Sequence, residues 1–294
     1  MQLGIFARTF VRPSLEETMD AVKFYGLDCL QFNFSCVGLP TLPNHIAPAL
    51  AIRVRTQLEK RALRMVAVSG TCNLIHPDLT QRANDLKRLQ SLIPACKDLG
   101  TSVITLCTGT RDPEDMWRGH PENDSVSAHR DLRTSLETLL PVALKHKVTL
   151  GIEPEPANVI ATARQARLLL DDLKSPCLKI VFDAANLLMP HGLTEQKRIL
   201  SEAAHILGTD IMLAHAKDLR RDGDALTVAA GKGEVDYHLY LELLEQAGFN
   251  GAIVLHSLAE GEVPASVEFL RSKLAQAKIS GLGDANALFH SRQN

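Results

Sequence analysis

The chain has 294 residues, 45% apolar and 22% charged. That is enough to bury a sizeable core as one large domain or two ordinary ones, and it excludes disordered, collagenous and disulfide-stapled classes. Its 32 basic and 34 acidic side chains leave a formal net charge of -2 with no block of like charge, so nothing is built to coat a nucleic-acid backbone or an anionic membrane. The apolar stretches are strand-sized, and Met1-Gln2-Leu3-Gly4-Ile5-Phe6 carries no basic segment leading into an apolar one. A soluble, cytoplasmic protein without signal peptide or transmembrane helix is expected.

Short apolar or β-branched runs alternate with longer amphipathic stretches. Strands are predicted at residues 3–7, 29–34, 65–68, 103–107, 149–152, 178–182, 211–214 and 252–255, each followed by a helix candidate. Ser14, Asp78, Asp124, Thr194 and Asp236 stand at helix starts, and Gly26, Gly100, Gly208 and Gly248 at helix stops. Eight strand-helix units in succession predict a single (β/α)8 TIM barrel over residues 1–278, ahead of an open doubly wound sheet, with a C-terminal tail at 279–294. The six cysteines lie far apart without a C-x-x-C pair and read as reduced packing residues. Loop length concentrates after the fourth strand, at 108–117 with the only tryptophan, and after the seventh, at 218–234, which is polar and Gly-rich. Both loops belong to the carboxyl-end mouth, where barrel active sites sit.

Four consecutive strands end in a metal-competent side chain: Glu153, Asp183, His215 and His256. Neighbouring barrel strands converge at the mouth, so the four can face one point. Two carboxylates and two imidazoles suit a divalent ion of intermediate softness, with Mn(II), Co(II), Zn(II) or Fe(II) favoured over Ca(II) or Mg(II). Taken singly, each carboxylate also reads as a helix cap and each histidine as a satisfied core group. Gly231-x-Gly233 lacks the spacing of a phosphate cradle, and no dinucleotide fingerprint is present.

At these residues the sequence resembles the sugar phosphate isomerase/epimerase superfamily, the xylose isomerase-like barrels that include ketose 3-epimerases, inosose dehydratases and endonuclease IV relatives. The resemblance runs from the first strand to the last helix. It is carried by Gly151-Ile152-Glu153-Pro154-Glu155, Phe182-Asp183-Ala184-Ala185-Asn186, Ala214-His215-Ala216-Lys217-Asp218, the segment from Gly231 to Tyr237, and Gly248-Phe249-Asn250-Gly251. The family's ligands are Glu, Asp, His and Glu on strands five to eight. Glu153, Asp183 and His215 match the first three, His256 stands in place of the fourth, and Asn186 stands where the family often has histidine.

The resemblance implies a divalent-metal-dependent isomerase or epimerase, with Mn(II) the first choice of metal. It acts on a keto sugar or sugar derivative through alpha-proton abstraction and a metal-stabilised enediolate. The alternative is a lyase or dehydratase of the same superfamily. An endonuclease is disfavoured by the charge and by too few matching ligands. The implied partner is a small sugar, without nucleic acid or membrane, and a homo-oligomer is left open.

Glu153 is the first-choice base, acting through an oxygen free of the metal. His256 is either a ligand or the opposing acid/base, since a metal-bound nitrogen cannot also move a proton. Glu155 shares the parity of Glu153 and is either an acid/base or an ion-pair partner beside the site. His76 and Glu260 are further proton donors, and His76 also reads as a site histidine or an exposed loop residue. Arg8, Asn33, His76, Arg111, Lys217 and Arg221 are the candidates for holding substrate. Trp117 either walls a sugar face or packs its loop down.

Overall fold

The computed structural model describes the backbone of residues 1–290 except 191 and 223, and their side chains except those of 222, 224, 225 and 278–290. Eight parallel strands close a barrel: β1 (Gln2–Phe6), β2 (Cys29–Phe32), β3 (Arg64–Ser69), β4 (Val103–Cys107), β5 (Thr149–Glu153), β6 (Leu178–Asp183), β7 (Ile211–Ala216) and β10 (Ala252–Leu255). Each strand pairs with its neighbours in sequence order, and β1 closes on β10 with Gln2 opposite Ala252. The helices lie between the strands: α1 (Leu15–Phe24), α2 (Pro48–Glu59), α3 (Leu79–Leu99), α4 (Val126–His146), α5 (Ala163–Leu173), the short α6 (Ala184–Leu188), α7 (Gln196–Leu207), α8 (Tyr237–Gln246) and α9 (Val263–His290). This is the (β/α)8 barrel expected from the alternation.

Several helix starts are those read from the sequence. Ser14, Asp78 and Asp236 accept the first free backbone N–H groups of α1, α3 and α8. Others shift. Ser125, not Asp124, caps α4, because residues 121–124 form a preceding turn of 3-10 helix. Another such turn, Leu193–Glu195, absorbs Thr194 before α7 begins. The stretch after β7 also departs from the expected loop: β8 (Asp218–Asp222) and β9 (Asp224–Val228) form an antiparallel hairpin with Leu219 opposite Thr227. The expected boundary at 278 falls inside α9, and residues 291–294 lie outside the described residues. All six cysteines are unpaired. Among the described residues no helix is long and apolar enough to cross a membrane.

Strand parity divides the core in two. One face of each strand, including Ile5, Leu30, Phe32, Ile104, Ile152 and Phe182, packs outward on the helices. The other face fills the barrel with a compact set: Cys29, Ala67, Val181, Leu213, Ala252 and Val254. Space there is tight, since a Cβ on Gly151 would lie 2.9 Å from Val181 Cγ2 and 3.1 Å from Met212 Sδ. Two residues further along, toward the carboxyl ends, the inward positions of six strands turn polar. Cys29 is followed by Gln31, Ala67 by Ser69, Gly151 by Glu153, Val181 by Asp183, Leu213 by His215 and Val254 by His256. The apolar layer is therefore the floor on which a polar layer stands, facing the mouth.

Candidate metal centre

The polar layer is one connected network. His215 Nδ1 lies 2.9 Å from Glu153 Oε1, which also accepts from Asn186 Nδ2 at 3.1 Å. The Asn186 oxygen accepts from Lys217 Nζ, which lies 3.4 Å from Asp183 Oδ2. The same Asp183 oxygen lies 2.9 Å from His256 Nε2, while Oδ1 accepts the Asn186 backbone N–H and so caps α6. Asp183, His215 and Glu153 are all buried, and the His215 and His256 rings sit 4.5 Å apart between centroids. Helix α8 holds the strand ends beneath them: Tyr240 OH donates to the carbonyls of Phe182 and His215, and Tyr237 OH to that of Lys217.

The electrostatics follow from burial and proximity. Burial would raise the Asp183 carboxyl, but Lys217 and His256 beside it hold it well below the usual carboxylate range. Burial and the neighbouring His215 push His256 down to about 4, leaving it neutral and able to offer a lone pair. Burial and the Glu153 charge raise Glu155 to about 8. Lys217 is raised despite its burial, because Asp183, Glu155 and Glu153 surround it.

Glu153, Asp183, His215 and His256 each offer one ligand atom, and these four atoms lie within 4.8 Å of one another. This spread and donor set fit a divalent ion.

Above the cluster lies a cavity of about 420 Å³, walled by Phe6, Arg8, Thr105, Leu106, Met116 and Trp117. Glu153, Glu155, His215, Lys217 and His256 face it. Arg8 is exposed at the rim, its guanidinium 4.7 Å from the Phe6 ring centroid, and Trp117 stands half-exposed at the mouth.

Four residues expected to hold substrate do not line this cavity. Asn33 is buried and caps a 3-10 turn through the Ser35 N–H. His76 is buried, its Nδ1 accepting from the Asp78 N–H and its Nε2 meeting the Pro113 carbonyl. Arg111 ties its loop to the Ile75 carbonyl and to Asp131 on α4. Arg221 lies exposed on the hairpin. Glu260, the reserve proton donor, pairs with Arg12 and lies outside the cavity lining.

The structure also brings in Gln31, which the sequence reading passed over. It lies inside Cys29-Leu30-Gln31-Phe32, a strand with every residue buried, and its amide meets His215, Ser69 and Thr105. A lone amide in a fully buried parallel strand was the signal for it.

The fold and cluster together define a parallel (β/α)8 barrel with a buried carboxylate and imidazole cluster at its carboxyl-end mouth. The chain belongs to the xylose isomerase-like TIM barrel family, whose model matches residues 19–273. None of the curated proteins matches the sequence. Among solved structures it is similar to an apo form of the 3-keto-D-glucoside 4-epimerase YcjR from E. coli (TM-score 0.70, 18% identity, 95% of this chain and 99% of that one). It is also similar to L-ribulose 3-epimerase (0.75, 15%, 95% and 96%) and to the IolI protein with a bound zinc atom (0.69, 15%, 94% and 98%). A fusion of a xylose isomerase-like TIM barrel with 4-hydroxyphenylpyruvate dioxygenase also matches (0.73, 16%); 97% of this chain spans 44% of that one.

Proposed function

We propose that this protein is a divalent-metal-dependent isomerase or epimerase of a keto sugar or sugar derivative. The observation that carries the reading is one cavity floor combining a four-ligand cluster with an additional carboxyl, Glu155, and a buried ammonium, Lys217. The similarity to two sugar epimerases supports the substrate class. Held by Glu153, Asp183, His215 and His256, a divalent ion supplies Lewis-acid polarisation of adjacent substrate oxygens, with Mn(II) first and Zn(II), Co(II) or Fe(II) as alternatives.

The chain's own groups then handle the protons. His215 and Asn186 fix Glu153 through Oε1, which leaves Oε2 to take the proton alpha to the substrate carbonyl. Glu155, raised to about 8, is protonated near neutral pH and returns a proton to the neighbouring atom. Lys217 Nζ faces the negative charge that develops on the enediolate. Arg8 and Trp117 orient the sugar at the rim, and the walls limit water.

A second reading, a lyase or dehydratase, is favoured by one observation. Both carboxyls free to move protons, Glu153 and Glu155, come from the end of β5, while β10 offers His256. Elimination needs no mirror-image acid on the opposite face. Incubating the metal-loaded enzyme with keto sugars in deuterated water separates the two. Solvent deuterium at the reacting carbon of an isomeric product supports isomerase chemistry, and loss of water or an aglycone supports elimination. A metal-loaded enzyme that exchanges no alpha proton in any keto sugar contradicts both.

A further inference from the structure

We propose that Asn158 is a positioning residue whose buried amide holds the Met116 and Trp117 wall of the cavity in register with Glu155. A sugar face then meets a preformed tryptophan and not a lid that closes on it. Asn158 is 4% exposed. Its Oδ1 accepts from the Gly109 N–H at 2.7 Å, and its Nδ2 donates to the Met116 carbonyl at 3.2 Å. A backbone N–H only donates and a carbonyl only accepts, so the two contacts also fix which amide atom faces which. Gly109 lies just past the end of β4, and Met116 is where the loop reaches the cavity wall. One amide therefore ties both ends of the loop.

The rest of the loop is pinned as well. Gly109 has φ +84°, and a Cβ there would run into Asn73 Oδ1, so glycine is required where the two loops meet. The Gly109 carbonyl accepts from the Val159 N–H at 3.0 Å. Beyond Trp117, the Arg118 carbonyl accepts from Thr110 Oγ1 at 2.9 Å, and the Trp117 N–H itself donates to Asp115 Oδ1 at 2.9 Å. The carbonyls on both sides of Trp117 are thus held, while its half-exposed ring lines the cavity. Asn158 belongs to the same turn as Glu155. Its N–H donates to the Glu155 carbonyl at 2.9 Å, and the Glu155 N–H donates to the Ile160 carbonyl at 3.0 Å. Wall and proton donor share one support, and a shift of about 1 Å between such parts can cost about 100-fold in rate.

The wall's contact with a sugar rests on the proposed sugar chemistry, whereas its anchoring is measurable without substrate, because Trp117 is the chain's only tryptophan. The test uses the full, zinc-loaded chain as wild type, Asn158→Leu, Trp117→Ala and the double variant. Time-resolved fluorescence anisotropy follows the indole, and solvent deuterium uptake by whichever keto sugar exchanges its alpha proton gives kcat and KM. In wild type the indole turns with the whole protein. Asn158→Leu keeps the branched shape but loses donor and acceptor. It adds a picosecond-to-nanosecond rotation of the indole, leaves the zinc content as in wild type, and lowers kcat/KM about 10–100-fold, mostly through KM. In the Trp117→Ala background the same substitution changes kcat/KM by less than about twofold, because the wall it anchors is gone.

A wild-type indole that rotates freely, a folded Asn158→Leu with the wild-type anisotropy, or an equal loss of kcat/KM with and without Trp117 overturns the proposal. Should Asn158→Leu fail to fold, Asn158→Ser, which offers one polar atom in place of two, replaces it under the same criteria, and the wild-type anisotropy stands as a test by itself. A wild type that exchanges no keto sugar, while Asn158→Leu frees the indole, would sink the isomerase reading and leave the anchor standing.

Discussion

Replacing Lys217 with methionine removes the ammonium set among the carboxyl groups of Asp183, Glu155 and Glu153 while keeping most of the side-chain volume. Lys217 Nζ lies 3.4 Å from Asp183 Oδ2, and both residues are buried. At an effective dielectric near 20, one unit-charge pair at that distance is worth about 5 kcal/mol before desolvation. Removing one partner of a buried pair costs about 3–5 kcal/mol, because the other is left uncompensated. Without metal the cluster loses its one positive side chain, so the metal-free variant should melt roughly 5–15 °C below wild type.

Two further consequences make the prediction specific. The loss should be smaller at pH 6 than at pH 9, because protonated Glu155 removes one of the repelling charges. A saturating divalent ion should narrow the gap, since it supplies the missing positive charge and binds the variant more tightly. Thermal melts followed by circular dichroism, with chelator and with Mn(II) or Zn(II), read all three. A metal-free Lys217→Met protein within 2 °C of wild type (less than about 1 kcal/mol), or a gap that widens with metal, would refute the charge accounting.

Three other perturbations test neighbouring parts of the site. Glu155 is raised in the fold, so the stability its protonated form contributes is full below about pH 4.5 and is lost as pH rises through about 8. Metal-free Glu155→Gln should therefore outlast wild type in urea at pH 9, while turnover of the metal-loaded variant falls about 100-fold or more below metal-loaded wild type. His256 is depressed to about 4, so its contribution is present above about 6.5 and lost as pH falls toward 4. His256→Gln should flatten that part of the stability profile in metal-free urea titrations at pH 4.5 and 7. Tyr240→Phe removes a buried hydroxyl shared by the Phe182 and His215 carbonyls. It should lower stability by about 1–3 kcal/mol, seen as a lower urea midpoint at unchanged slope.

Much of this arrangement was legible because buried parallel strands run apolar and then stop at a polar residue. Ile152-Glu153, Phe182-Asp183 and Ala214-His215 show that transition directly in the sequence. Parity placed Glu155 beside them, and it lines the cavity, as does Lys217, read as a cation of the mouth. Gln31 escaped because its partner is 184 residues away and only closure of the barrel brings the two together. The mouth loops were read least well, for a physical reason. A loop cation that faces substrate and one that staples two loops have the same sequence signature, and Arg111 and His76 spend their polar atoms on Ile75, Asp131, Asp78 and Pro113. The hairpin after β7 did carry a signal, Asp222-Gly223, a strong hairpin dipeptide. Its flanking arginines and aspartates hid the alternation that leaves Leu219 buried and Arg220 exposed.

On the proposed reading, Glu153, Asp183, His215 and His256 jointly hold one divalent ion. Elemental analysis of the purified protein, beside the four single alanine variants dialysed against the same Mn(II) or Zn(II) buffer, tests it most directly. One equivalent in wild type, with each variant losing most of it while remaining folded, is the predicted result. Stoichiometric metal surviving all four substitutions would contradict it.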